Sequence, residues 1–298
     1  MTAAATTSVL GLTAAIIWGA ADFSGGIAAR HLRVFWLLAI SHAFSLACLL
    51  FLTGILHESR PGTHILAFGF LSGIAGGIAL LTFYHVLSLG EMGTTAALTG
   101  LLTAALPIIF TLVTIGSPSR RQLAGFALAA GAIWLISSQP SASKTTARND
   151  RKRVILAVIS GLGFGTFLIF LRQANAGGLL WPLAASRVGS LLLAFGGALL
   201  FSRRQFLAGT AGNVQPHNWR AQWKTGVALT LLASTCDTGG NFFFIAATRT
   251  GRLDIAAVLA SLYPASTILL AAWLLKERAT SRQTVGMVAA LAAVALIS

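Results

Sequence analysis

Residues 237–298 read DTGGNFFFIAATRTGRLDIAAVLASLYPASTILLAAWLLKERATSRQTVGMVAALAAVALIS. This stretch holds a mid-span Asp237, a mid-span Tyr263-Pro264 pair and two long apolar runs hinged at Lys276-Glu277-Arg278. About 20 mostly apolar residues suffice for a helix to cross the hydrocarbon of a bilayer. Runs of that kind recur along the whole chain, and the pattern predicts ten spans at 8–29, 34–56, 64–88, 93–116, 122–138, 154–175, 179–201, 224–248, 253–275 and 280–297. The composition agrees. The 298 residues are 56% hydrophobic and 9% charged, with a mean hydropathy of +0.80, whereas soluble domains carry about 25% charged residues. The expected class is an all-α integral membrane protein with ten transmembrane helices.

Working back from the C-terminal stretch, the chain repeats itself. Arg282-Gln283-x-x-Gly286 has a counterpart in Arg121-Gln122-x-x-Gly125, and Gly251 before the ninth span has one in Gly90 before the fourth, both 161 residues away. Trp36 and Trp181 match at 145. One insertion, in the long 202–223 connection, reconciles the two offsets. The expected organisation is a five-helix repeat over 1–138, a basic, Ser/Thr-rich flexible linker over 139–153 and a second five-helix repeat over 154–298. Five is odd, so the second copy enters the membrane from the opposite side, giving two inverted repeats with a site at their interface. The copies have diverged: Pro264 stands 22 residues before Gly286, but Pro107 stands 18 before Gly125.

The run Ala256–Ile297, with Ser-Leu-Tyr-Pro at 261–264, Lys-Glu-Arg at 276–278 and Arg-Gln-x-x-Gly at 282–286, resembles the EamA-like family of the drug/metabolite transporter superfamily. Ile-Trp-Gly-Ala-Ala-Asp-Phe at 17–23 resembles that family's first helix, so the likeness spans both ends of the chain. The resemblance implies a ten-helix carrier of small molecules, amino acids and related compounds among them, with both termini in the cytoplasm. The Lys and Arg count argues the other way. The connections on the side away from the termini carry more than twice as many as those on the other, and the positive-inside rule then puts the termini outside.

The net charge of +14 sits almost entirely in the connections between spans, which is the pattern of topology signals and lipid headgroup contacts. No basic patch is interleaved with stacking aromatics, so nucleic acid is not an expected partner. The partners expected are a small-molecule substrate and the lipid bilayer of a bacterial-type inner membrane. Cys48 and Cys236 lie inside apolar runs and read as small packing residues. No cofactor and no metal site is expected. No cleavable targeting peptide is evident, since residues 1–8 lack Lys and Arg and the first span contains Asp22. With 7 Asp and Glu in all and no Asp-x-x-Asp, a membrane-embedded enzyme is a weak alternative, and a channel or non-transporting scaffold is a further one.

A charge in hydrocarbon costs about 2.5–3.5 kcal/mol on insertion scales and is a functional hypothesis with a partner to be named. The deep candidates are Asp22, His42, Arg187 and Asp237. Asp22 lies roughly 10 Å from the end of the first span and His42 roughly 12 Å from the start of the second, so these two share a level. Arg187 and Asp237 are separated axially by roughly 6–8 Å, which an Arg side chain largely covers. Each pair has a structural reading as a clamp between helices and a functional one as a substrate or proton site. Uptake and release of a proton at a carboxylate or at His42 makes proton coupling a hypothesis. Trp18, one turn before Asp22, Asn241, one turn after Asp237, and Tyr263 beside Pro264 are the further substrate-binding candidates. Tyr84 and His85 suit an aromatic belt, and Glu277 with Arg278 a surface turn. A carboxylate-bearing cargo has Arg187 available and a cationic one Asp22 or Asp237, so the residues alone leave cargo charge open.

Overall fold

The structure is a computed structural model that describes residues 3–29, 31–32, 34–88, 92–137, 147–200, 219–274, 276 and 280–297. Its elements are α1 (Ala3–Ala28), α2 (Val34–Leu56), α3 (Thr63–Ser88), α4 (Met92–Thr114), α5 (Arg120–Ser137), α6 (Ala147–Gln173), α7 (Leu180–Leu200), α8 (Trp219–Thr250), α9 (Leu253–Ala260), α10 (Tyr263–Leu274) and α11 (Ser281–Ile297), with a short 3₁₀ turn at Ala174–Gly177. No strand occurs among the described residues. Among the described residues five stretches are long and apolar enough to cross a membrane: Ala5–Ala28, Trp36–Leu56, Thr63–Phe83, Arg153–Ala176 and Leu253–Leu274. Leu98–Thr114, Leu180–Phe195 and Ser281–Ile297 are shorter apolar helices. Large apolar side chains face outward, among them Val113, Trp273 and Leu291, each more than 70% exposed. An apolar surface of that extent is what lipid covers.

Ten helical segments occupy the ten expected spans, with three departures. The ninth is broken. α9 ends at Ala260 and α10 starts at Tyr263, the join being carried by the i→i−3 bonds from Leu262 N to Leu259 O at 3.2 Å and from Ala265 N to Leu262 O at 3.0 Å. Pro264 has no N–H to give a carbonyl in the preceding turn and is tolerated in the first turn of a helix, so the chain stops one helix and starts another around it. The second departure is at the linker. Residues 138–146 lie outside the described residues, but 147–153 form the first turns of α6, because ARNDRKR is rich in residues that keep a helix going beyond the apolar run. Third, α8 starts five residues early and runs 32 residues, about 48 Å at 1.5 Å per residue, so it extends past the hydrocarbon.

The packing is organised around α9, whose eight residues are all buried. Its Ala256 and Ala257 join a core with Ala14, Leu168, Leu171, Leu183 and Phe244, while Ile255, Val258 and Leu259 join a second with Ile133, Ile136, Ala293 and Ile297. Around these cores α1 packs on α8, α9 and α10, α6 packs on α3 and α4, α7 on α2 and α3, and α5 on α11.

One end of the bundle is pinned by side chains. Glu58, just past α2, accepts hydrogen bonds from the Leu179 N–H at 2.6 Å and the Leu180 N–H at 3.0 Å, placing a carboxylate at the positive end of α7. Arg249 donates to Asn175 Oδ1, to Asn175 O and to Gly178 O. Arg252 pairs with the fully buried Asp254 at 2.8 Å and donates to Gly116 O at 2.9 Å. Thr7 and Thr250 share a hydrogen bond of 2.9 Å, and Arg121 donates to Ala295 O at 2.6 Å. α1 therefore begins at the end where α6, α8 and α11 finish. Glu277 and Arg278 lie outside the described residues, as do the side chains of Tyr84 and His85.

Candidate functional site

Deep in the bundle lies a cavity of about 90 Å³. All seven candidate residues, Trp18, Asp22, His42, Arg187, Asp237, Asn241 and Tyr263, are on its lining. They arrive from α1, α2, α7, α8 and α10. The rest of the lining is Ala21, Gly76, Leu80, Phe83, Thr103, Phe164, Phe167, Leu168, Ser186 and Ser190.

The charge at the centre is Arg187, whose side chain is 4% exposed and whose Nη2 stands 2.6 Å from Asp237 Oδ2. Removing one member of such a pair leaves the other charged and desolvated, which is the costly half of the arrangement. The remaining donors of the guanidinium are nearly all engaged as well. Nε donates to Ser45 Oγ at 3.0 Å, Nη2 also reaches Thr238 Oγ1 at 3.3 Å, and Nη1 meets His42 Nδ1 at 3.3 Å. Ser45 and Thr238 bond each other at 2.6 Å, tying α2 to α8 behind the Arg. Four of five N–H groups are thus held by protein atoms, and the planar fork has no edge left for a bidentate partner.

Two atoms beside this network are left over. A guanidinium only donates, so His42 Nδ1 must accept and the imidazole proton of the neutral ring is on Nε2. That Nε2 is buried and has no partner among the described residues. A carboxylate only accepts, so the 3.4 Å contact between Asn241 and Asp237 Oδ2 is made by the amide Nδ2. The other end of that amide, Asn241 Oδ1, is also buried and without a partner among the described residues. Asp22, partly buried on the same lining, makes no hydrogen bond or ion pair among the described residues.

The expected pairing of Asp22 with His42 is not formed; His42 turns to Arg187 instead. Depth along a helix sets which residues share a level, but the rotation of each helix about its axis sets which of them face one another, and α2 packs on α7. The expected reach from Arg187 to Asp237 is made in full. Ser45 and Thr238, which hold the Arg, were not among the candidates. In an apolar helix such hydroxyls commonly bond their own backbone, as Thr238 also does to Ser234 O at 2.8 Å. Their one distinguishing sign is position: Ser45 is one turn after His42 and Thr238 adjoins Asp237.

The cavity has two unlike walls. α1 and α8 supply Trp18, Asp22, Asp237 and Asn241; α3 and α6 supply Gly76, Leu80, Phe83, Phe164, Phe167 and Leu168. Trp18 lies on Gly240, where an added Cβ would come within 2.3 Å of the ring, and is 5.7 Å from Phe244 between centroids. Opposite, the Phe167 ring lies 3.0 Å from the Cβ position of Gly76, and Phe83 meets Phe164 edge-on at 6.1 Å.

Comparison with known proteins bears on the chain as a whole. Residues 151–298 match the EamA-like transporter family. No curated protein matches. A solved crystal structure superposes with a TM-score of 0.75 over 99% of this chain and 96% of its own, at 15% sequence identity; at that identity the likeness carries the fold alone. With the apolar outer surface and the membrane-length helices, the match makes this an integral membrane protein of a transporter family: the chain belongs to the EamA-like transporters.

Proposed function

We propose that the protein is a secondary transporter that carries a small polar or amphipathic metabolite across a bacterial-type inner membrane by alternating access, as an exporter or exchanger, with the central cavity as its substrate site. The observation that carries this is the Arg187–Asp237 ion pair, held at 2.6 Å on the lining of a cavity deep in the bundle. Buried charge in a membrane-spanning helix lies on substrate and ion pathways as a rule.

Two inverted five-helix repeats, 1–138 and 154–298, are the frame of this reading. Support comes from residue pairs that match at the offsets of 145 and 161. His42 and Arg187, 145 apart, touch each other, as residues beside a two-fold axis would. Ser234 Oγ bonds Ser41 O at 2.6 Å, and their counterparts Gly73 and Ser186 are also in backbone contact. Trp18 lies on Gly240, and their counterparts Gly163 and Ala79 abut. α1 starts at the bundle end where α6 finishes, as inversion requires.

The test is to express the wild type with Arg187→Ala and Asp237→Asn at matched membrane levels and compare the metabolites released to the medium. Release of one compound class by the wild type and its loss in both variants is expected. Unchanged release in the variants sinks the site. Proton coupling is part of the proposal, so dissipating the pH gradient should abolish accumulation against a concentration gradient.

A further inference from the structure

The residues alone allow a cargo of either charge; the way the cavity's charges are paired does not. We infer that the cavity takes a protonated amine with an apolar, preferably aromatic, body, and that Asp22 is its counter-ion. The inference rests on the transport reading only for what happens after binding.

Arg187 is matched by Asp237 at 2.6 Å and has four of its five N–H groups occupied by Ser45, His42, Asp237 and Thr238. An incoming carboxylate would find one free N–H and, beside it, the Asp237 carboxylate that already neutralises the cation. Recognition of a carboxylate by Arg draws its strength from two parallel N–H groups on an uncommitted edge, and that edge is absent here. Asp22, by contrast, has no partner among the described residues and stands on the same lining. With Arg187 and Asp237 cancelling, it is the acidic group of the lining left to balance an incoming cation.

The neutral groups point the same way. Asn241 is 1% exposed, and its Oδ1 is an acceptor with no partner among the described residues; Asp237 is bound through Oδ2 in both of its contacts among them, leaving Oδ1 to accept. An ammonium head has three N–H donors and no acceptor, which suits a lining with acceptors in surplus. Trp18, one turn before Asp22 and seated on Gly240, puts an aromatic ring on the same lining, and aromatic faces attract desolvated cations. The far wall, with Leu80, Phe83, Phe164 and Phe167, has no charge and fits a hydrocarbon or aryl body.

The full-length protein, purified in detergent or nanodiscs, is titrated calorimetrically with three probes of one shape: phenethylammonium, neutral N-acetylphenethylamine and anionic 3-phenylpropionate. The expected order is cation first, with the neutral and anionic probes weaker by at least about tenfold. Asp22→Asn should lower cation affinity by a similar factor, and Asp22→Glu should restore most of it. Preference for the anion, equal cation binding by a folded Asp22→Asn, or no binding of the cation by wild type each overturns the inference. If Asp22→Asn does not fold, the order of the three probes on wild type decides alone. Proteoliposome flux separates the two readings. Binding of the cation without flux keeps this inference and sinks transport, whereas Arg187-dependent flux of the anion keeps transport and sinks this inference.

Discussion

The α1/α8 wall and the α3/α6 wall of the cavity each take one helix from the first half of the chain and one from the second, and they are filled in opposite ways. Asp22 corresponds to Phe167 at the 145 offset, and Asp237 and Asn241 correspond to Gly76 and Leu80 at 161. Where one wall sets two carboxylates and an amide, the other sets a phenyl ring seated on a glycine and a leucine. Trp18 on Gly240 is likewise answered by Gly163 against Ala79, so the polar wall spends its glycine on an aromatic ring and the apolar wall on close helix approach. Small residues let helix backbones meet closely where lipid provides no hydrophobic drive between them. Under the proposed repeat, the shared frame supplies the enclosure, and divergence of the matching positions supplies a cavity with a polar and an apolar face.

Three perturbations test how far the walls differ, in order of expected effect. Arg187→Ala leaves Asp237 without its counter-ion, and a loss of about 3 kcal/mol is expected, at the low edge of the range for buried pairs because the Asp237 side chain keeps 34% exposure. Arg187→Ala combined with Asp237→Leu should recover much of it; thermal unfolding in detergent reads both, and a double variant no better than the single would show that the Asp was never the cause. Gly240→Ala should cost about 2 kcal/mol, since its Cβ meets the Trp18 ring at 2.3 Å and overpacking of that kind costs 1–3 kcal/mol as an order of magnitude. Ala79→Gly, the mirror change on the apolar wall, should stay within about 1 kcal/mol; equal losses would mean that the walls are packed alike. Phe167→Ala should weaken phenethylammonium binding about fivefold, the scale of one aromatic contact, with the preference for cation over anion intact. Loss of that preference would place charge recognition on the apolar wall and break the contrast.

Legibility differed between the levels of structure. The spans and the deep charges could be read because both depend on local quantities: the run of apolar residues needed to cross a bilayer, and the cost of a charge in hydrocarbon whatever its neighbours. The broken ninth span was half legible, since Pro264 announces a weakness but Pro107, one turn from the matching position in α4, stands inside an unbroken helix. Asp254 was passed over because it follows Arg252 near a helix start and looks like a surface residue; in the structure it is fully buried and Arg252 covers it.

By its sequence alone this chain determined its class, its helices and which side chains had to find partners inside them, because hydropathy and desolvation act residue by residue. Only the tertiary structure decided the pairings: that Arg187 is held by Asp237, His42, Ser45 and Thr238, that Asp22 is left without one among the described residues, and that Phe167 faces the same cavity. The physical reason is rotational. These helices are apolar on nearly every side, so no stripe in the sequence announces which face is inward, and the azimuth of each helix is set by packing against neighbours that are distant in the chain.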